Sequence, residues 1–483
     1  MPLERLSESL VRVANDYKRL QQQAAALNLD NQIARELVTQ ANSAIDTGQF
    51  ARAHQLLGEA TRAQLAAAQA ARMLREKAQA AEDAQMLGAA SVTAVAAGVA
   101  RTEGRLRQAA ELFGKAVEYV PSGHPVERIT YLWEQATTLY RQGLHHGDDA
   151  ALLSSIETFR LVLKEQTPEQ GASTQNNIGL ALAELGRREV GSARLAEAIA
   201  TFQAVQKVQT RERQPLLWAV GEHNLGLTLV QLSEREPGVA QLEQAVTHFK
   251  AAMQEWTRER MPWQWALANS GLGSALAELG ERRNSISLIE QAVASFQAAL
   301  QEWTRERMPD HWAMAHGDLG RALTLLGKRE ARKAPLDEAL VAFRTALEIF
   351  TRGLRPMAWA ITQNYLGLAL VELGKLENST ARLEQAVAAF RAALQEWTPE
   401  HVPLQWALAK TNLGLALAQL GEQENSVERL EEGAAAFRAV LEGNPVLIPG
   451  GSQTVQQHLT ETLDKLRQLG DKKQWTSAIS RRG

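Results

Sequence analysis

Six glycines, Gly179, Gly226, Gly273, Gly320, Gly367 and Gly414, stand 47 residues apart, five intervals in succession. An interval of that length marks a unit copied in tandem, because each copy buries its apolar face only against a neighbour. Other positions keep the same step. Trp218, Trp265, Trp312, Trp359 and Trp406 do so, as do Phe202, Phe249, Phe296, Phe343, Phe390 and Phe437. Pro215, Pro262, Pro309, Pro356 and Pro403 mark the entry of successive units.

Each unit reads as two helices. The proline suits a first helical turn, where its missing N–H leaves no partner wanting. Behind it, Trp265, Ala268, Leu272, Leu276 and Leu279 trace one helical face. The spacing predicts that this helix stops at Gly280, with Gly186, Gly327, Gly374 and Gly421 repeating the stop and Ser233 replacing it once. The second helix carries Ile289, Ala292, Phe296, Ala299 and Trp303. Asn284–Ser285, Asn378–Ser379 and Asn425–Ser426 are its expected N-caps, with Ser287 and Glu290 as an alternative capping box. A mid-helix glycine costs roughly 1 kcal/mol against alanine. Six of them imply close helix contact, expected between Gly226 and Ala245 and between Gly273 and Ala292.

The stretch QEWTRERMP occurs at 254–262 and again at 301–309, with QEWTPEHVP at 395–403. Aromatic and guanidinium groups together could grip a ligand. Their recurrence with the unit favours a connector instead, with the tryptophans in the core and the Arg-Glu-Arg tips solvated.

Composition narrows the function classes. Apolar residues make up 45% and the net charge is −3, which leaves a large core and no basic surface for wholesale phosphate binding. With no cysteine in the chain, disulfides, zinc-thiolate sites and cysteine nucleophiles are excluded. The opening MPLERLSESLVRV does not read as a secretory signal, and AASVTAVAAGVA at 89–100 is too short and too weakly apolar to span a bilayer. A cytoplasmic protein with no membrane or nucleic-acid partner is expected. GRALTLLGK (320–328) and GLALVELGK (367–375) lack phosphate-loop spacing. His145, His146, Asp148 and Asp149 carry metal-capable side chains but read as a solvated turn. No cofactor, metal or enzymatic activity is expected.

The pattern resembles the tetratricopeptide repeat (TPR). Its 34-residue spacing is met without gaps by Gly104, Leu106, Ala109, Phe113, Ala116 and Pro121, and earlier by Gly48, Phe50, Ala53, Leu57 and Ala60. The 47-residue units look like long bacterial arrays akin to kinesin-light-chain-type repeats. They depart from the family in their longer inner turn and outer connection, and in having Leu182, Leu229, Leu276, Leu323, Leu370 and Leu417 where it has an aromatic residue. The resemblance implies an all-α, right-handed superhelical solenoid of antiparallel helix pairs.

Four regions follow: an N-terminal helical region over 1–88 with one TPR-like hairpin and a long Ala-rich helix over 51–85, a standard unit over 89–121, seven long units over 122–451, and a capping helix with a polar tail over 452–483. The resemblance places a partner segment on a concave face lined by first helices. Carried over by register, the lining residues are Asn176, Asn177, His223, Asn224, Ser270, Asp318, Arg321, Asn364, Tyr365, Thr411 and Asn412. Asparagines there would hold a peptide backbone or bridge neighbouring helices. The expected function is a scaffold for a peptide or helix of another protein, with a regulatory sensor of a bacterial signalling or defence system as the alternative. Self-association through the N-terminal helices is a further expectation.

Overall fold

The computed structural model describes residues 31–189, 191–236, 238–443 and 451–480, with a few single positions ahead of residue 31. The expected helical start over 3–30 and the link GNPVLIPGG after Glu442 fall largely outside the described residues. Among the described residues there are 18 helices and no strand. Two compact units are distinguished, 1–138 and 139–483.

The first unit holds α1 (Gln32–Asp46), α2 (Phe50–Thr102), α3 (Leu106–Tyr119) and the start of α4 (Pro125–His146). The expected long helix runs well past residue 85, through the alanine-rich 89–100 stretch. Its N-terminal part packs on α1 through Ala34, Val38, Leu57 and Ala60, and its C-terminal part packs on α3. A single helix thus closes one hairpin and opens the next.

The second unit continues with α5 (Asp149–Lys164), then the pairs α6 (Pro168–Arg188) and α7 (Ala193–Val208), α8 (Pro215–Ser233) and α9 (Ala240–Ala252), and α10 (Pro262–Arg283) and α11 (Ile286–Leu300). The pairs α12 (Pro309–Glu330) and α13 (Lys333–Leu347), α14 (Pro356–Glu377) and α15 (Thr380–Ala393), and α16 (Pro403–Glu424) and α17 (Val427–Glu442) follow, ahead of α18 (Gly451–Ser480). Each of these first helices begins on its proline. In these pairs each second helix packs most closely on its hairpin mate and next on the first helix that follows it.

The repeated glycines meet phenylalanine, not alanine. A Cβ on Gly226 would lie 2.9 Å from the Phe249 ring, and one on Gly320 would lie 2.8 Å from that of Phe343. Gly179, Gly273, Gly367 and Gly414 face Phe202, Phe296, Phe390 and Phe437 in the same way. These rings are at most 1% exposed. Burying one stabilises by about 1.5–3 kcal/mol, which outweighs the helix penalty of its glycine.

Helix ends differ from the sequence expectation. The helices do not stop at Gly280, Gly327, Gly374 or Gly421; these glycines lie inside, pressed on Ile289, Leu336, Leu383 and Leu430. The chain reverses at Asn284, Ala331, Asn378 and Asn425, all left-handed with φ between 48° and 57°. The asparagines therefore end first helices, and the serine after each opens the second. Ser379 accepts the Arg382 N–H and Ser426 the Arg429 N–H. Ser287 falls within the first turn of α11 and forms no capping box. A further device ties successive units. Arg188, Arg235, Arg282 and Arg329 donate back to carbonyls at the C-terminal end of the preceding first helix, including Gly143, Gly186, Ser233 and Glu281. Such cations at helix C-termini also complement the helix dipole.

The connector reading of QEWTRERMP holds in part. Trp256, Trp303 and Trp397 are at most 3% exposed. The tips, however, are not simply solvated. Arg211, Arg258, Arg305 and Arg352 lie 5.4–6.0 Å over the rings of Trp218, Trp265, Trp312 and Trp359. The same four arginines pair with Glu255, Glu302, Glu348 and Glu396 of the next unit at 2.5–2.7 Å. Trp265 and its equivalents are accordingly half-buried under guanidinium rather than sealed in the core.

Candidate functional site

In the second unit, successive first helices also touch one another, from α6 with α8 through to α16 with α18, while successive second helices make no comparable contact. First helices therefore form one continuous face. The repeating glycine gives a register. Residues six and two before it, then one, five and eight after it, share one side of the helix by their steps of four, three, four and three.

Structure puts the sequence-predicted residues on this face in unequal settings. Asn224 donates to Asn176 Oδ1 at 3.0 Å, and Asn412 to Asn364 Oδ1 at 3.2 Å, each bond linking adjacent first helices. Asn224, Asn364 and Ser270 are buried, whereas Asn176, Asn177, Thr411 and Asn412 are half-buried. His223 is 4% exposed, with ring centroids 5.6 Å from Phe249 and 5.4 Å from Trp256. Burial pushes its pKa down to about 4, so the imidazole is neutral at pH 7.

Asp318, Arg321 and Tyr365 form a second cluster. The Arg321 guanidinium lies 5.8 Å from the Tyr365 ring, which stacks on Phe343 at 6.5 Å. Burial raises the Asp318 carboxyl above its usual range, and the Arg321 charge opposes this. A cavity of about 230 Å³ opens beside them, bounded by Glu278, Glu281, Lys328 and Glu372. A larger one of about 550 Å³ lies where Leu368, Asn412 and Leu415 approach His458 and Lys465 of α18. The metal-capable turn has a structural job: Asp148 accepts the Ala151 N–H at 3.0 Å and caps α5. Among the described residues, no three His, Asp or Glu side chains are placed to hold a metal ion.

One row escaped the sequence reading. Val220, Leu267, Met314, Ile361 and Leu408, six before each glycine, are apolar in five units running and lie at least partly open on this face. Met314, Ile361 and Leu408 are 43%, 44% and 37% exposed. Leu216, Trp263 and Met357 extend the strip by one turn, at 39%, 39% and 44%. Their signal was in the sequence as the same 47-residue step, but an apolar periodic position reads first as core. The face is thus apolar toward the N-terminal ends of its helices, amide-bearing in the middle, and charged toward their C-terminal ends, where Glu278, Glu281, Lys328, Glu372 and Lys375 sit.

The glycine–phenylalanine contact, repeated at the register of the 34-residue motif in six consecutive hairpins, decides the architecture. The chain is a TPR-like array. No family model matches the sequence, and no curated protein matches it. Among solved structures, the array is similar to a Rap protein complexed with Competence and Sporulation Factor, at 11% identity and a TM-score of 0.43, over 79% of this chain and 99% of that one. A human IFIT1 dimer with PPP-AAAA is similar at 14% identity and a TM-score of 0.38, over 92% and 96% of the two chains. Yeast Tom70 is similar at 11% identity and a TM-score of 0.24, over 90% and 96%. Likeness at this level carries no function from one chain to another.

Proposed function

We propose that this TPR-like array is a non-enzymatic interaction scaffold whose first-helix face, in the second unit, takes an amphipathic segment of another protein. The observation that carries this reading is the apolar row Val220, Leu267, Met314, Ile361 and Leu408, half-buried at the first two positions and exposed at the last three, continued into a mixed-charge border. Solitary exposed apolar residues need no explanation, but a contiguous strip rimmed by charge is the usual mark of a binding surface. An amphipathic partner lays its apolar side on the row and its polar side against Arg321, Lys328 and the glutamates. Asn176 and Asn412, half-buried and already bridged, offer their remaining amide groups to the backbone of an extended segment.

Site-specific photo-crosslinking tests the assignment. A photoreactive residue replaces Ile361 on this face, or Val341, which is 62% exposed on the second helix α13. In lysate of the native host, discrete adducts are expected from position 361 and not from position 341. The Met314→Glu/Leu408→Glu variant, altered only at exposed positions, is expected to lose them while keeping its helical circular dichroism. Adducts confined to position 341, or unchanged in the folded double variant, refute the assignment.

A further inference from the structure

One first helix breaks the pattern that the others keep. Five residues after the repeating glycine, the long units carry an acid or an amide: Glu184, Gln231, Glu278, Glu372 and Gln419. One residue after it they carry leucine, or Ser274 in α10. In α12 the order is inverted, with the charge at the first position, Arg321, and the leucine at the second, Leu325. Packing of one hairpin on the next is common to all these units, so it gives no reason for a single central unit to exchange the two.

The inversion builds a cavity wall. Leu325 stands at its centre, with Arg321 one turn before it and Lys328 one turn after it on the same helix. At the register of Leu325, the helices on either side present Glu278 (α10) and Glu372 (α14). These residues line the cavity of about 230 Å³ together with Tyr365 and Leu368. All are half-buried except Lys328, which is exposed.

Charges of both signs are left with bonding capacity there. Among the described residues no carboxylate forms an ion pair with the Arg321 guanidinium, which lies 5.8 Å from the centre of the Tyr365 ring. Burial works against its charge, but Tyr365, Asp318 and Glu278 outweigh burial and raise its pKa, so it stays a cation. Glu278 accepts Arg282 Nε at 2.9 Å, and Glu372 accepts Lys375 Nζ at 2.9 Å, each through Oε1. Each therefore keeps Oε2 for another donor.

A guanidinium takes a carboxylate through two parallel N–H donors, and carboxylate oxygens take an ammonium. A free α-amino acid carries both groups on one carbon. Its side chain would lie on the leucines. At ~30 Å³ per water, a cavity of about 230 Å³ matches a molecule of roughly eight or nine non-hydrogen atoms, the size of valine or leucine. A partner's lysine or glutamate would answer only one of the two signs, and a residue inside a polypeptide neither.

We propose that this cavity binds a free aliphatic α-amino acid of about leucine size, with its carboxylate on Arg321, its ammonium between Glu278 and Glu372, and its side chain on Leu325 and Leu368. This goes beyond the scaffold reading and shares only the charged border with it. Binding of a free amino acid needs no partner segment, so the two succeed or fail separately.

Calorimetric titration of the dialysed full chain with L-leucine is expected to give saturable one-to-one binding, with a dissociation constant below about 1 mM. N-acetyl-L-leucine and L-leucinamide each lack one of the two charges and are expected to bind about tenfold more weakly, or worse. Glu278→Gln is expected to weaken L-leucine to the same extent. Arg321→Leu/Leu325→Glu gives α12 the pair that α14 carries as Leu368 and Glu372. It is expected to keep the circular dichroism of the wild type and to lose L-leucine. Absence of saturable binding by L-leucine, L-isoleucine and L-valine up to about 10 mM overturns the proposal. N-acetyl-L-leucinamide binding as tightly as L-leucine does so too, because the occupant would then be part of a polypeptide. Undiminished L-leucine binding by Glu278→Gln or by the folded double variant also overturns it; should the double variant not fold, Glu278→Gln decides alone.

Discussion

Two glycines in α12, three residues apart, should respond to the same substitution with opposite signs. Gly317 has nothing within 4 Å of where a Cβ would go. At Gly320 the Cβ would stand 2.8, 2.9 and 3.0 Å from three atoms of the Phe343 ring, closer than carbon atoms pack. Alanine in a helix interior is worth about 0.8–1 kcal/mol over glycine, and both positions gain that. Only Gly320→Ala also inserts a methyl into a full core. Phe343 is 0% exposed and is held between neighbouring hairpins, so the ring has no free direction in which to move. Overpacking of this kind costs about 1–3 kcal/mol. Gly317→Ala should therefore stabilise by about 1 kcal/mol, and Gly320→Ala should destabilise by up to about 2 kcal/mol.

A global unfolding free energy is poorly defined for a long array, because its units unfold with partial independence. Native-state hydrogen exchange of the amides in α12 and α13 reads the local value directly. If Gly320→Ala protects those amides as well as Gly317→Ala does, the glycine is not there to admit the ring, and the account of why six units carry it is wrong.

Arg258 both stacks on Trp265 and pairs with Glu302 across the unit boundary. With the arginine side chain 47% exposed, a double-mutant cycle of Arg258→Ala and Glu302→Ala should give a coupling of only about 0.5 kcal/mol; a value above 2 kcal/mol would mean the tips carry the array. Ala331 holds a left-handed φ of 51° that its counterparts meet with asparagine, so Ala331→Gly should raise the melting temperature, by an amount equivalent to about 1 kcal/mol. No rise would place the strain elsewhere. His223 is neutral in the fold down to about pH 4, whereas in the unfolded chain it takes up a proton near 6.5. Stability should thus fall as pH drops from 6.5 toward 4, by at most about 3 kcal/mol, and His223→Gln should flatten that part of the urea-midpoint profile. Parallel profiles for the two proteins would refute it.

The interval of 47 residues made the paired helices, their order and their proline starts legible before any coordinates. What it concealed were matters of contact direction. A glycine and an alanine on facing helices are both small, so close approach between Gly226 and Ala245 seemed sufficient; the ring of Phe249 fills that space instead. Gly280 looked like a helix stop because glycine is the common C′ residue, yet tertiary contact with Ile289 gives it another use, and the left-handed turn falls to Asn284. Sequence reading assigned asparagines to the candidate face by register, and had no means of seeing that Asn224 and Asn412 already bond their neighbours.

A fixed interval says that a position does the same thing in every unit, without saying whether that thing is burial. Exposure separates the cases. Val220 and Leu267 pack in part on the clusters around Trp256 and Trp303, whereas Met314, Ile361 and Leu408 are 43%, 44% and 37% exposed, so apolar character there answers to something outside the chain. At α18 a periodic apolar seam is closed instead: Val455 and Leu459, 1% and 6% exposed, pack on Ala434, Phe437 and Val440 of the last hairpin.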